Sequence, residues 1–255
     1  MPPAARARAR LRLLLVAGAA LALVACGDTT DARPPPHVVA TADASSRGVI
    51  FDLLASTTPA AATVALHGHV FGSGPTGVVL AHMRIADQTS WFPFATELAD
   101  TGKFTVLTFD FRGFGESVGD KDFDLLTDDL EAAVRYMRDV LGVRKVFVIG
   151  ASTGGTAALI VAARTPLAGV VTISAEADFL ALDALEPARR VTAPKLFIAS
   201  EGDVPAARSL AMLVDAAAEP KDQRVYDGDA HGTAIFDGPH AQELSQALLD
   251  FLTAH

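Results

Sequence analysis

Val146-Phe-Val-Ile-Gly150-Ala-Ser152-Thr-Gly154-Gly155 is the stretch around which the rest of the chain is organised. Val146 to Ile149 are β-branched or aromatic and read as a buried strand. Thr156-Ala-Ala-Leu-Ile-Val-Ala-Ala163 reads as a tightly packed helix. Between them, Gly-x-Ser-x-Gly turns the chain sharply. A serine at such a strand-to-helix corner takes a strained backbone conformation, and glycines two residues to either side leave room for it and for close helix packing. The corner lifts the hydroxyl clear of the sheet edge and aims the next backbone N–H groups at whatever the oxygen attacks. Ser152 is therefore the candidate nucleophile. The competing reading is an ordinary strand–helix turn rich in small residues; the apolar strand before it and the Ala-rich helix after it favour the nucleophile.

Outward from this corner, strands alternate with helices. Residues 48–56 and 63–71 are strand-like and joined through Pro59, an antiparallel start. Gly72-Ser-Gly-Pro75 turns into 77–82, whose Val-Val-Leu-Ala core is apolar throughout, as a doubly covered strand requires. A helix over 91–101 ends at Gly102 and leads to a strand over 104–109. In 122–141, Leu126, Leu130, Ala133, Val134, Met137 and Leu141 fall at helical spacing, and Gly142 supplies the stop. Beyond the central stretch come short apolar strands at 169–173 and 195–199, helices at 208–218 and 241–252, and a last strand at 223–226. This alternation predicts a mostly parallel central sheet flanked by helices, an α/β fold. The part from residue 48 to 255, free of internal repeats, is long enough for one well-buried domain.

The N-terminus has a different character. Arg6, Arg8, Arg10 and Arg12 precede an apolar run over 13–25 that is shorter than the ~20 residues of a spanning helix and fits a signal-peptide core. The run ends Leu23-Val24-Ala25-Cys26, which resembles the lipobox of bacterial lipoproteins, where cleavage precedes a diacylglyceryl-modified cysteine. The resemblance implies a signal peptide at 1–25 and a mature chain held by acyl chains at Cys26 on the extracytoplasmic face of a membrane. The competing reading is a plain secretory signal with an incidental cysteine. Cys26 is the only cysteine, which excludes an intrachain disulfide. Residues 26–47, with Pro34-Pro-Pro36 and no apolar periodicity, read as the lipidated cysteine and a disordered spacer. Loss of four arginines with the leader takes the net charge from −9 to −13, against nucleic acid or anionic lipid surfaces as partners.

A serine hydroxyl is a poor nucleophile until a base takes its proton, and the base needs an orienting acid. The element order, the Gly-x-Ser-x-Gly corner and Asp110-Phe-Arg112-Gly113-Phe-Gly115-Glu116-Ser117 together resemble the α/β-hydrolase superfamily across nearly all of 48–255. In that fold the order along the chain is Ser, acid, His. His231, in Tyr226-Asp-Gly-Asp-Ala-His-Gly232 after the last strand, stands where the family places its base. Ser200-Glu201-Gly202-Asp203 resembles the acid loop, with Asp203 at the catalytic position and Ser200 where a glycine is commoner. Glu201 is the local rival; Glu176 and Asp178, after the preceding strand, are the distant ones. The oxyanion hole is expected from the backbone N–H groups of Thr153 and Arg84. The family usually reads His-Gly-x at the second donor, with a Trp downstream; here it is His82-Met83-Arg84, then Trp91, so Met83 replaces the glycine and is itself the alternative donor. The Asp110–Ser117 loop is expected to be structural, Arg112 tying neighbouring loops. Relatives with a helical cap insert far more chain than lies between 173 and 195, so the expectation is no cap domain and an open site.

The remaining histidines have blander readings. His240 and His255 are expected on the surface. His67 and His69 share a strand face and could supply two metal ligands, but no third is in sight. No metal or organic cofactor is implied. The expected function is that of a lipid-anchored serine hydrolase, carboxylesterase- or dienelactone-hydrolase-like, cleaving a small-molecule ester; oligomeric state is not legible in the sequence. Alternatives are a peptidase or thioesterase on the same triad, a non-catalytic surface binding protein of this fold, and a solute-binding lipoprotein.

Overall fold

The computed structural model describes residues 46–52 and 64–255. The expected signal peptide, Cys26, the spacer up to residue 45 and the Pro59 connection lie outside the described residues. β1 (Ser46–Asp52) and β2 (Ala65–Gly72) pair antiparallel, with Ser46 opposite Phe71. β3 (Thr76–Ala81) is followed by one 3-10 turn, Gln88–Trp91, and α1 (Phe92–Asp100). Asp87 caps that turn, its carboxylate accepting from Thr89 N–H at 2.8 Å. Next come β4 (Phe104–Phe109), α2 (Leu126–Asp139), β5 (Lys145–Ala151), α3 (Thr153–Ala162) and β6 (Gly169–Ile173). The stretch to the next sheet strand holds a minimal hairpin, β7 (Asp178–Phe179) and β8 (Leu182–Asp183), and a short α4 (Leu185–Arg190). β9 (Lys195–Ser200), α5 (Val204–Ala216), β10 (Lys221–Tyr226), a 3-10 stretch Gly232–Asp237 and α6 (Ala241–Ala254) complete the chain.

The main sheet runs β1-β2-β4-β3-β5-β6-β9-β10. From β4 to β10 every neighbouring pair is parallel, and β2 enters antiparallel at the other side. The central strands read as unbroken apolar runs because each feeds two cores. Val79, Ala81, Val146 and Val148 belong to one core, with α2, α3 and α5. Val78, Leu80, Phe147 and Ile149 belong to the other, with α1 and α6. A strand covered on both faces has no polar positions to alternate with. α3 is buried along nearly its whole length, which explains why it is built of Ala, Gly, Thr, Leu, Ile and Val with no charge. No helix among the described residues is long and apolar enough to cross a membrane. The C-terminal ends of β3, β4, β5, β6, β9 and β10 meet along one edge of the sheet. That edge carries Ser152, Thr153, Arg84, Asp203 and His231.

Candidate active site

The corner after β5 is built by backbone contact. Ser152 has φ 49 and ψ −119, outside the regions open to most side chains, and stands immediately before α3. Its N–H donates to Ile173 O at 2.8 Å, and its carbonyl accepts from Gly155 N–H at 2.8 Å and Thr156 N–H at 3.0 Å. A Cβ at position 154 would lie 2.5 Å from Ala81 O and 2.6 Å from His82 O, so only glycine lets the helix close onto β3. The helix therefore begins at Thr153 rather than at residue 156: the small residues read as turn are packed into its first turn. Thr153 N–H falls in that first turn, where helix amides have no internal acceptor.

His231 lies beyond β10. Its Nδ1 is 2.6 Å from Asp203 Oδ2; the ring is 33% exposed and the carboxylate side chain 10%. Asp203 precedes α5 yet makes no side-chain cap to it, its carboxylate going to the imidazole instead. The rival acids do not reach the ring: Glu201 is exposed, its N–H bonded to Tyr226 O, and Asp178 sits in the small hairpin opposite Asp183. Glu176 contributes its main-chain oxygen to Thr156 Oγ1 at 2.8 Å. Ser152 Oγ has no hydrogen-bond partner among the described residues, His231 included. The two groups are neighbours through the backbone all the same: a Cβ at Gly232 would stand 3.5 Å from Ala151 Cβ.

The loop after β3 turns on His82, which is fully buried. Phe111 N–H donates to its Nε2 at 3.0 Å, so Nδ1 carries the proton and donates to Met83 O at 2.9 Å. Burial pushes the His82 imidazole below its usual value, against the pull of the Met83 carbonyl and of Asp110 and Asp87, which keeps it neutral. Met83 O also accepts from Ala86 N–H at 3.1 Å. With that carbonyl held on one side, the N–H of the same trans peptide, that of Arg84, points the opposite way. Met83 is absent from the residues with left-handed φ, so a side chain there carries none of the strain a glycine would relieve. The Arg84 guanidinium reaches over the Phe179 ring, 5.7 Å from its centroid, joining this loop to the small hairpin.

The 110–117 loop is a knot of buried polar groups. Asp110 takes Gln88 N–H at 2.9 Å, Gln88 Nε2 at 2.8 Å and Glu116 N–H at 3.0 Å. Ser117 Oγ donates to Asp110 O at 2.6 Å and accepts from His67 N–H at 2.9 Å. Gly115, at φ 47, has the Asp110 carboxylate where a Cβ would stand. Arg112 ties the loop to a helix rather than to another loop. Its Nη2 and Nε donate to Asp129 Oδ1 of α2 at 2.6 and 2.9 Å, and its own N–H to Oδ2 at 2.9 Å. Burial pushes the Asp129 carboxyl up while Arg112 pulls it back.

The other histidines are accounted for locally. His67 Nδ1 is 3.7 Å from Glu116 Oε2, and His69 packs 5.1 Å from the Phe92 ring centroid. No group of metal-ligating side chains forms among the described residues. His240 is tied to Asp227 and, at 2.9 Å, to Glu243, and these carboxylates raise its pKa. His255 meets the Phe251 ring edge-on, with centroids 5.0 Å apart. The sequence reading gave no role to Ser174, whose hydroxyl accepts from Gly232 N–H at 3.0 Å. A serine directly after a buried strand was its one available signal.

Residues 78–199 match the family model described as the alpha/beta hydrolase fold. Comparison with curated proteins found no match. Among solved structures the chain is similar to an esterase from Pyrococcus furiosus (18% identity, 82% of this chain and 90% of that one, TM-score 0.65). It is similar to a dienelactone hydrolase from Anabaena variabilis (19% identity, 83% and 99%, TM-score 0.65). An alpha/beta hydrolase from a Penicillium species aligns with TM-score 0.70 at 15% identity over 82% and 98% of the two chains. The chain has the α/β-hydrolase fold, in which six parallel strands present their C-terminal ends to a single site.

Proposed function

We propose that the chain is a serine hydrolase that cleaves a carboxylic ester by way of an acyl-enzyme. The observation that carries the reading is the Asp203–His231 contact of 2.6 Å, on the same sheet edge as a serine held at φ 49 between strand and helix. Ser152 Oγ attacks the ester carbonyl while His231 Nε2 takes its proton, and Asp203 holds the Nδ1–H and offsets the charge of the imidazolium. The oxyanion is received by the N–H groups of Thr153 and Arg84. As the C–O bond breaks, Nε2 returns the proton to the departing alcohol. Water, deprotonated by the same nitrogen, then attacks the acyl carbon, and Nε2 passes that proton to Ser152 Oγ as the acyl–oxygen bond breaks and the acid is released. The short stretch between β6 and β9 favours small or readily reached esters. Esterase and dienelactone hydrolase among the similar structures support the substrate class.

The decisive experiment is labelling with a fluorophosphonate probe beside a Ser152→Ala control. Labelling that disappears in the variant is the expected result, and a panel of esters, thioesters and peptides then separates esterase from thioesterase and peptidase. A folded protein that takes no probe sinks the proposal. In that case the missing Ser152–His231 hydrogen bond favours the second reading, a binding protein of this fold, although such bonds in unliganded sites are often long until substrate arrives.

Lipid anchoring at Cys26, on the extracytoplasmic face of a membrane, belongs to the same proposal and rests on the Leu-Val-Ala-Cys sequence. Mass spectrometry of the N-terminal peptide from the exported protein tests it: a diacylglyceryl group on Cys26 supports the anchor, and an unmodified thiol removes it.

A further inference from the structure

We infer that Ser200, Ser174 and Met83 form a clamp that positions His231, a deepening that rests on the reading of His231 as the general base. The loop carrying His231 leaves β10 without regular structure and is flanked by Gly228 at φ 89 and Gly232 at φ 59. Two such glycines leave the chain between them many conformations. Its ring has one tether, Asp203. Yet a base must stand within a fraction of an ångström of its productive place.

Gly202 N–H donates to Gly228 O at 2.8 Å and Ala234 N–H to His231 O at 3.1 Å, and three side chains from distant parts of the fold add to this hold. Ser200, the last residue of β9 and 1% exposed, donates its hydroxyl to Ala230 O at 2.8 Å, immediately before His231. Ser174, just past β6 and fully buried, receives Gly232 N–H at 3.0 Å, immediately after it. Ser174 is itself anchored, at φ 52 with its N–H on Ile198 O at 2.7 Å. Met83 closes the third side. Its Sδ would lie 2.8 Å from a Cβ at Gly232, and Thr233 Oγ1 is 4.0 Å from the same sulfur. Both peptide groups beside the imidazole are thus pinned to strand ends, and the sulfur packs against the next turn.

The identity of the clamp residues strengthens the inference. Ser200 and Met83 each act through a side chain that a glycine would lack. Glycine at 200 has no hydroxyl for Ala230; glycine at 83 has no side chain to reach Gly232. The two contacts come from stretches far apart in sequence and land within the same four residues, 230–233. Met83 therefore couples the loop of the proposed oxyanion donor to the loop of the base, rather than being a flaw in the former.

The test uses the full chain with Ser200→Ala, Ser200→Thr and Met83→Gly. It reads kcat and KM on p-nitrophenyl butyrate and, by NMR of the ¹⁵N-histidine-labelled protein, the Nδ1–H of His231 in its bond to Asp203. Ser200→Ala is expected to lower kcat about three- to tenfold, the worth of one hydrogen bond, with KM unchanged and the Nδ1–H signal broadened by exchange. Ser200→Thr restores both. Met83→Gly lowers kcat as well, whereas a Met83 that merely spoiled the oxyanion hole would give a gain. Folded Ser200→Ala and Met83→Gly proteins with the parental Nδ1–H signal overturn the clamp, as does a rise in kcat for Met83→Gly. Should the folded parent hydrolyse no ester, the functional proposal fails and the Nδ1–H signal alone decides the clamp.

Discussion

The loop at 110–117 and the loop at 226–232 both sit on the C-terminal edge of the sheet, and they are held in opposite ways. The first is held from within and from below: the Asp110 carboxylate fills its centre, and Arg112 is locked bidentate onto a buried Asp129. The second is pinned at a few points by residues from elsewhere and leaves the ring of His231 a third exposed. A buried, fully satisfied polar network rigidifies its surroundings. A residue proposed to meet substrate and exchange protons has to stay accessible, so its order is imported. The loop with the clearest motif is a structural knot, and the loop that carries the proposed base has little motif of its own.

This contrast breaks if the two loops respond alike to mutation. The largest expected effect is on catalysis alone: His231→Ala lowers kcat by about 10⁴-fold or more while the unfolding midpoint in denaturant stays near that of the parent. A comparable loss of stability would place the base loop among the structural elements. Asp129→Ala is the mirror image. It leaves Arg112 buried and unpaired and is expected to cost about 3–5 kcal/mol in urea unfolding, and the double variant Arg112→Met/Asp129→Leu recovers most of that. Gly115→Ala, which drives a Cβ into the Asp110 carboxylate at φ 47, is expected to destabilise by more than about 1 kcal/mol. A neutral result there would deny that the knot is tight.

The smallest effect sharpens the comparison through pH. His82 bridges the 110–117 loop to the Met83–Arg84 peptide, and burial holds its folded pKa below the ordinary value near 6.5. As pH falls below that value the unfolded chain binds a proton that the folded chain refuses, so stability declines toward acid. His240 acts with the opposite sign. Its carboxylate partners raise its folded value, so its contribution is fully present below about 6.5 and is lost as pH rises through the raised value. Urea unfolding between pH 7 and pH 5 should therefore show a steeper acid loss in His240→Gln than in the parent. Parallel curves would remove His240 from the balance.

Strands were the most legible elements. The expected 104–109 and 169–173 coincide with β4 and β6, because strands covered on both faces are continuous apolar runs bounded by breakers. Helix ends were less so. The pattern over 122–141 overran α2 at both ends, since Phe123–Leu125 is a 3-10 turn capped by Asp122 and the chain leaves the helix at Val140 before Gly142. The hairpin at 178–183 and α4 went unread, two-residue strands and a six-residue helix being too short for any period to show. At the site, the resemblance of Ser200–Asp203 to the family's acid loop and the place of His231 after the last strand singled out two residues that lie 2.6 Å apart. The tasks of Ser200 and Met83 were not legible, because each acts on a loop remote in sequence and, beside a family pattern, each looked like an irregularity.

The corner at Ser152 has a thermal consequence. Ser152 is gauged by main chain against main chain: Gly150 and Gly154 meet with no side chain between them, and α3 lies on the carbonyls of Ala81 and His82. Such contacts have no rotamers to populate on warming. His231, besides main-chain bonds to Gly228 O and to its own carbonyl, depends on two hydroxyls and a thioether, side chains that have rotamers. Heat should loosen His231 before Ser152, so the proposed activity would fade by loss of alignment at temperatures where the sheet is still intact.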